Sequence, residues 1–135
     1  MDFSNVNFLA VIVSGIAAWV IGALWYSPLL FSKRWQKETG LSDDDVRQAN
    51  MAVIFGGSLV LMIIMALGLA MHIQTGQADL MRGLKSGLLT GVFFSATIIG
   101  INYLYQRKSI TLWLIDAGYA VLFLGVEGAI LGVWQ

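Results

Sequence analysis

Cysteine is absent from the 135 residues, so disulfides and thiolate chemistry are closed to the chain, and cysteine usage says nothing about its redox compartment. Histidine occurs once, as His72, which argues against a histidine-based metal site. Proline also occurs once, as Pro28. Charge is scarce: 12% of residues are charged, about half the share usual in a soluble domain. The eight basic and eight acidic residues cancel, so the chain offers nucleic acid no electrostatic footprint. No nucleophile motif, phosphate loop or cluster of metal ligands stands in the sequence. No catalytic set, metal or cofactor is therefore expected, and an enzyme acting on lipid ranks below non-enzymatic readings.

What remains is apolar. Hydrophobic residues make up 58% of the chain, and they gather in four long runs. Each is long enough for the ~20 residues that a membrane span needs. The expected fold is all-α: one domain over residues 1–135, a bundle of four transmembrane helices at about 5–27, 49–71, 83–105 and 110–134. From Phe3 to Ser32 no residue is charged. That run is too long for the apolar core of a signal peptide and lacks a basic start, so it reads as a retained span.

The last run organises the rest. It carries Asp116 and Glu127, the only acids inside any of the four. A carboxylate in a span costs ~2.5 kcal/mol or more to insert, so it is expected to face protein or water. The two are eleven residues apart, nearly on one helix face and separated by about 16 Å, too far to act as a pair. Arg82 or Lys85 is expected to meet Glu127, and Arg107, Lys108 or a phenol such as Tyr26 to meet Asp116. Two readings stay open for each acid. One is a bound proton or cation, as in transport spans; the other is a structural ion pair. Trp25, Tyr26, Asn102, Tyr103, Trp113 and Tyr119 share the expected depth of Asp116, and rings beside a carboxylate suit a small organic cation.

Small residues recur every fourth position as Ala10, Ser14, Ala18 and Gly22 in the first span and as Gly83, Gly87, Gly91 and Ser95 in the third. Such ridges let backbones approach closely. They predict that these two helices pair, or that one lies at the interface of a homo-oligomer. Gly125, Gly128 and Gly132 give the last helix a similar face, for the second helix or another copy. Gly56, Gly57 and Ser58 are expected to mark a bend or close crossing in the second span.

Between the first two spans, Pro28 to Gly40 reads as an interfacial segment, with Phe31 and Trp35 on one face and Lys33, Arg34 and Lys37 beside them. Ser42 to Asp45 has the form of a capping box, with Asp43 and Arg47 as a helical ion pair, and the second helix is expected to run on from there into the bilayer. His72 to Ala78 and Gln106 to Ser109 are the expected turns, and Asp79 the cap of the third helix. Lys33, Arg34, Lys37, Arg47, Arg107 and Lys108 fall on one side of the bilayer, Arg82 and Lys85 on the other. The positive-inside rule then places both termini outside.

The run GALWYSPLLFSKRW, Gly22 to Trp35, resembles the hallmark of a family of small bacterial membrane proteins, domain of unknown function 1761. The matching residues are Trp25, Tyr26, Ser27, Pro28, Leu29, Leu30, Phe31, Lys33 and Trp35, with Ser32 where the family pattern has glycine. The resemblance implies a four-span protein of the bacterial inner membrane and a role for Trp25 to Phe31 beyond anchoring. It carries no activity. Small multidrug exporters, similar in size, keep their essential acid in the first span, which here has no charge. Two functional expectations remain: a small transporter or channel-like protein with Asp116 as its contact, or a non-catalytic scaffold or accessory subunit in which the acids are structural.

Overall fold

The computed structural model describes residues 3–73 and 79–134. They are all-helical: α1 (Phe8–Trp25), α2 (Ser32–Thr39), α3 (Asp43–Gln48), α4 (Met51–Ile73), α5 (Leu80–Thr90), a π-helical turn (Gly91–Ser95), α6 (Ala96–Tyr105) and α7 (Ile110–Val133). Four of these stretches are long and apolar enough to cross a membrane: α1, α4, α7 and the continuous third span Leu80–Tyr105. That is the make-up of a multi-pass membrane protein. Most of the turn expected at 72–78 lies outside the described residues.

α7 is the hub. Within its most apolar window 56% of residues are buried, against 11% for α4. It touches α1, α4 and every part of the third span. Caps fix where the helices begin. Asn7, Asp79 and Ser109 accept from Ala10, Arg82 and Leu112 backbone N–H groups at 3.1, 2.8 and 3.0 Å, satisfying donors that a helix start otherwise leaves orphaned.

The ridges find other partners than each other. Gly83, Gly87 and Gly91 pack on α7, not on α1. A Cβ on Gly83 would lie 2.0 Å from the Gly128 carbonyl oxygen, and one on Gly87 2.0 Å from that of Leu124. Gly125, Gly128 and Gly132, expected against α4 or a second copy, face the third span instead. The ridge of α1 is also used internally: Ala10, Ser14, Ala18 and Gly22 are buried among α4 and α7. Spacing marks a face that admits a neighbour without choosing which neighbour arrives.

The fourth member of the third-span ridge is displaced. At Gly91 the helix takes a π turn, with the Ala96 N–H reaching back to the Gly91 carbonyl. The extra residue rotates the remainder of the span by about 100°. Ala96 becomes buried where Ser95 was expected, and Ser95 is only half-buried. The loosened turn is re-satisfied locally. Thr97 Oγ1 donates to the Phe93 and Phe94 carbonyls (2.8 and 2.9 Å), and the Trp113 indole donates to the Ala96 carbonyl (2.9 Å).

The segment between the first two spans also differs from expectation. α3 ends at Ala49, whose extended backbone breaks the run, and Asn50 caps a fresh helix by accepting from the Val53 N–H (3.2 Å). Asp43 takes the Gln36 amide (2.7 Å), so the pairing of Arg47 falls to Asp44 at 3.4 Å. The Ser42 N–H on Asp45 (2.9 Å), together with the Ser42 hydroxyl, holds the Asp45 carboxyl below its usual range. α4 runs unbroken through Gly56 and Gly57, and neither has a neighbour within 4 Å of where a Cβ would stand, so no close crossing occurs there.

Candidate functional site

Asp116 sits two turns into α7, half-buried. Two phenols hold it. The Tyr26 hydroxyl donates to Oδ1 at 2.6 Å, and the Tyr103 hydroxyl donates to Oδ2. Tyr26 is the C-cap of α1 and Tyr103 lies in the last turn of α6, so the carboxyl joins three spans. Arg107 and Lys108, expected as its partners, are exposed at the α6–α7 turn, where Arg107 takes a left-handed conformation (φ 56°).

The π turn explains why Tyr103 is the phenol in place. An unbroken α-helix from Gly91 would carry the buried stripe through position 95 to 102. With one extra residue it runs through Ala96 to Tyr103. Asn102, a sequence candidate for this site, is exposed on the outer surface for the same reason.

Rings enclose the carboxyl on the α1 side. Tyr119 lies edge-on to Tyr26 with centroids 5.3 Å apart, and its hydroxyl donates to the Ala18 carbonyl (2.9 Å) in the slot left by Gly22. A Cβ on Gly22 would fall 2.4 Å from that hydroxyl. Trp25 donates its indole N–H to the Ile115 carbonyl at 3.0 Å. Trp113, also a candidate, faces the other way, against Gly100 and Ala96 in the third span.

Two further rings come from the segment after Pro28. Phe31 lies 4.7 Å from Trp25 and Trp35 lies 6.0 Å from Tyr26, centroid to centroid. The segment reads in sequence as interfacial, and in the fold both rings pack on the aromatic cluster. α2 is tied down by Glu38, which accepts from Ser109 Oγ at 2.5 Å and pairs with Arg34 at 3.1 Å. A lid of Phe31 and Trp35 was legible only as a four-residue spacing, which fits an interfacial anchor equally well. The Glu38–Ser109 tie had no sequence signal.

Glu127 lies deeper. It is fully buried, and neither carboxyl oxygen has a hydrogen-bond partner. The expected bond from Arg82 or Lys85 is not made: both are exposed, because the face of the third span that meets α7 consists of glycines. Ser14, read from sequence only as a packing residue, is likewise fully buried with its hydroxyl unpartnered.

Among the described residues, no group of three or more His, Cys, Asp or Glu side chains is placed to hold a metal ion. What the arrangement offers is a half-buried carboxyl with lone pairs to spare in an aromatic surround. A family model described as a protein of unknown function, DUF1761, matches residues 9–132. No curated protein and no solved structure matches the chain.

Proposed function

The chain belongs to the DUF1761 family, and from that premise we propose that it is a small transporter or channel-like membrane protein whose ion or substrate contact is Asp116. One observation carries this reading. A half-buried carboxyl inside a span takes its hydrogen bonds from two neutral phenols and stands among Trp25, Tyr119 and the Phe31–Trp35 lid. Each carboxylate oxygen accepts two hydrogen bonds, so Tyr26 and Tyr103 leave capacity on both. The negative charge and the ring faces together suit a small organic cation, where a desolvated ring contact adds ~2 kcal/mol to the charge attraction. An inorganic cation or a proton would use the carboxylate alone.

The proposed address is a bacterial cytoplasmic membrane. Lys33, Arg34, Lys37, Arg47, Arg107 and Lys108 lie toward the Asp116 end, which the positive-inside rule makes the cytoplasmic one, leaving both termini outside. Four spans enclose little volume, so the working unit is proposed as a homo-oligomer.

A second reading has an observation of its own. Asp116 already bonds α1 to α6, as the buried tie of a non-catalytic scaffold or accessory subunit would. Uptake of a radiolabelled quaternary ammonium probe into proteoliposomes separates the two. Saturable uptake that falls tenfold or more in Asp116→Asn, with the variant still folded, supports transport. No uptake by the wild type, with a loss of melting temperature in Asp116→Asn, assigns the carboxyl to structure.

A further inference from the structure

Glu127 and Ser14 stand apart from the Asp116 site and are, among the described residues, the two fully buried polar side chains of the spans. All three of their side-chain oxygens lack a hydrogen-bond partner. The antiparallel register of α1 and α7 brings the two residues level. Tyr26 meets Asp116 at one end, Tyr119 fills the slot at Gly22, and the Asn7 amide donates to the Trp134 carbonyl at the other end. Position 14 of α1 therefore lies at the height of position 127 of α7, three helical turns from Asp116.

The surroundings are apolar. Ala10, Val11, Ala66, Leu69, Leu124 and Leu131 belong to the core cluster on this face of α7. Titratable groups on the packed elements are few. α1 has none, α4 has only the exposed His72 near its end, the third span brings the exposed Arg82 and Lys85 and, at its far end, Tyr103 and Tyr105, and α7 brings Tyr119 and Asp116. None of these hydrogen-bonds either carboxyl oxygen.

An ionised carboxylate in such a place is not repaid by any partner. A metal ion takes several ligands, and among the described residues no group of three or more His, Cys, Asp or Glu side chains is placed to supply them. A proton needs one lone pair. We propose that Glu127, facing the Ser14 level of α1, is an occluded proton site: it holds a proton while α1 is packed on α7 and releases it to water, leaving the carboxylate, when that seam opens. The chain would then be a proton-coupled device, whatever Asp116 binds.

The sequence makes the test clean, because Glu38 and Glu127 are its only glutamates. Carbon-13 labelling of the glutamate carboxyls in the full chain, reconstituted in lipid at neutral pH, yields two signals. The expected result is one ionised signal and one protonated one. Glu127→Gln removes the protonated signal; should that variant fail to fold, Glu38→Gln makes the same assignment by removing the ionised one. In heavy water the infrared carbonyl band of the protonated acid should exchange at least tenfold more slowly than that of an accessible carboxylic acid. Two ionised signals would overturn the proposal, as would exchange at the rate of an exposed acid. A Glu127 signal that follows sodium concentration at fixed pH would replace the proton with a metal cation and overturn it too.

Discussion

α7 is gripped along two seams that are built in opposite ways. Toward the third span it presents Gly125, Gly128 and Gly132, which meet Gly83 and Gly87 backbone to backbone. Toward α1 it presents Asp116, Tyr119 and Glu127, whose side chains fill the space between the helices or stand in it unpartnered. In a bilayer, lipid is as apolar as the core, so helices associate through close packing and hydrogen bonds rather than through a hydrophobic drive. The glycine seam uses the first of these and has nothing that titrates. The α1 seam uses the second, and both acids of the spans lie on it. If any part of the molecule moves or changes charge in use, it is this seam, with the glycine seam as the fixed frame.

The sharpest way to break the comparison is to put a methyl group into the glycine seam. Gly87→Ala would place Cβ 2.0 Å from the Leu124 carbonyl oxygen, and backbone cannot step aside as a flexible side chain can. Overpacking typically costs ~1–3 kcal/mol and occasionally more, and a clash with backbone puts this variant at the upper end. Denaturant or thermal unfolding in mild detergent should show that loss. Gly118→Ala is the control on the same helix, since its Cβ would meet only the Trp25 ring at 3.4 Å, an ordinary contact. Equal stability of both variants would mean that the glycine seam is looser than its geometry.

Next in size is the Asp116 tie, where the α1 seam is linked through Tyr26 and the end of the third span through Tyr103. Tyr26→Phe and Tyr103→Phe each keep the ring and remove one hydroxyl from Asp116. A hydrogen bond to a charged group contributes ~1.5–3 kcal/mol, so each variant should lose stability within that range. The pair shares one acceptor group, so a double-mutant cycle should be non-additive. Losses as large as that of Gly87→Ala would erase the distinction between a rigid and an adaptable seam. In the uptake assay, these variants should weaken the probe less than Asp116→Asn does, because they leave the charge in place.

The α-helical class and the four apolar runs were legible because they depend on composition and length alone. The acids stood out because a span rarely carries one. Beyond that the sequence runs short for definite reasons. A glycine ridge shows that a close approach is possible, and the same four-residue spacing in α1 and the third span suggested that they approach each other. The structure spends both ridges on other neighbours. The π turn at Gly91 has no local signature, yet it decides that Tyr103 rather than Asn102 reaches Asp116. Arg82 and Lys85 were matched to Glu127 by depth along the helix. Depth omits azimuth, and their azimuth is outward.

The smallest effect is expected where neither kind of seam exists. Gly56 and Gly68 of α4 have nothing within 4 Å of where a Cβ would stand. Within one chain, Gly56→Ala and Gly68→Ala should therefore cost nothing. They should raise stability by up to ~1 kcal/mol, because alanine loses less backbone freedom than glycine in a helix. Melting curves measured across a range of protein concentrations read this directly. A gain independent of concentration leaves the α4 face to lipid, and the interface of the proposed homo-oligomer must then be sought on another helix. A loss that deepens on dilution would mean that a second copy lays its backbone on Gly56 or Gly68. The molecule would then have a further seam, built like the glycine seam but between chains.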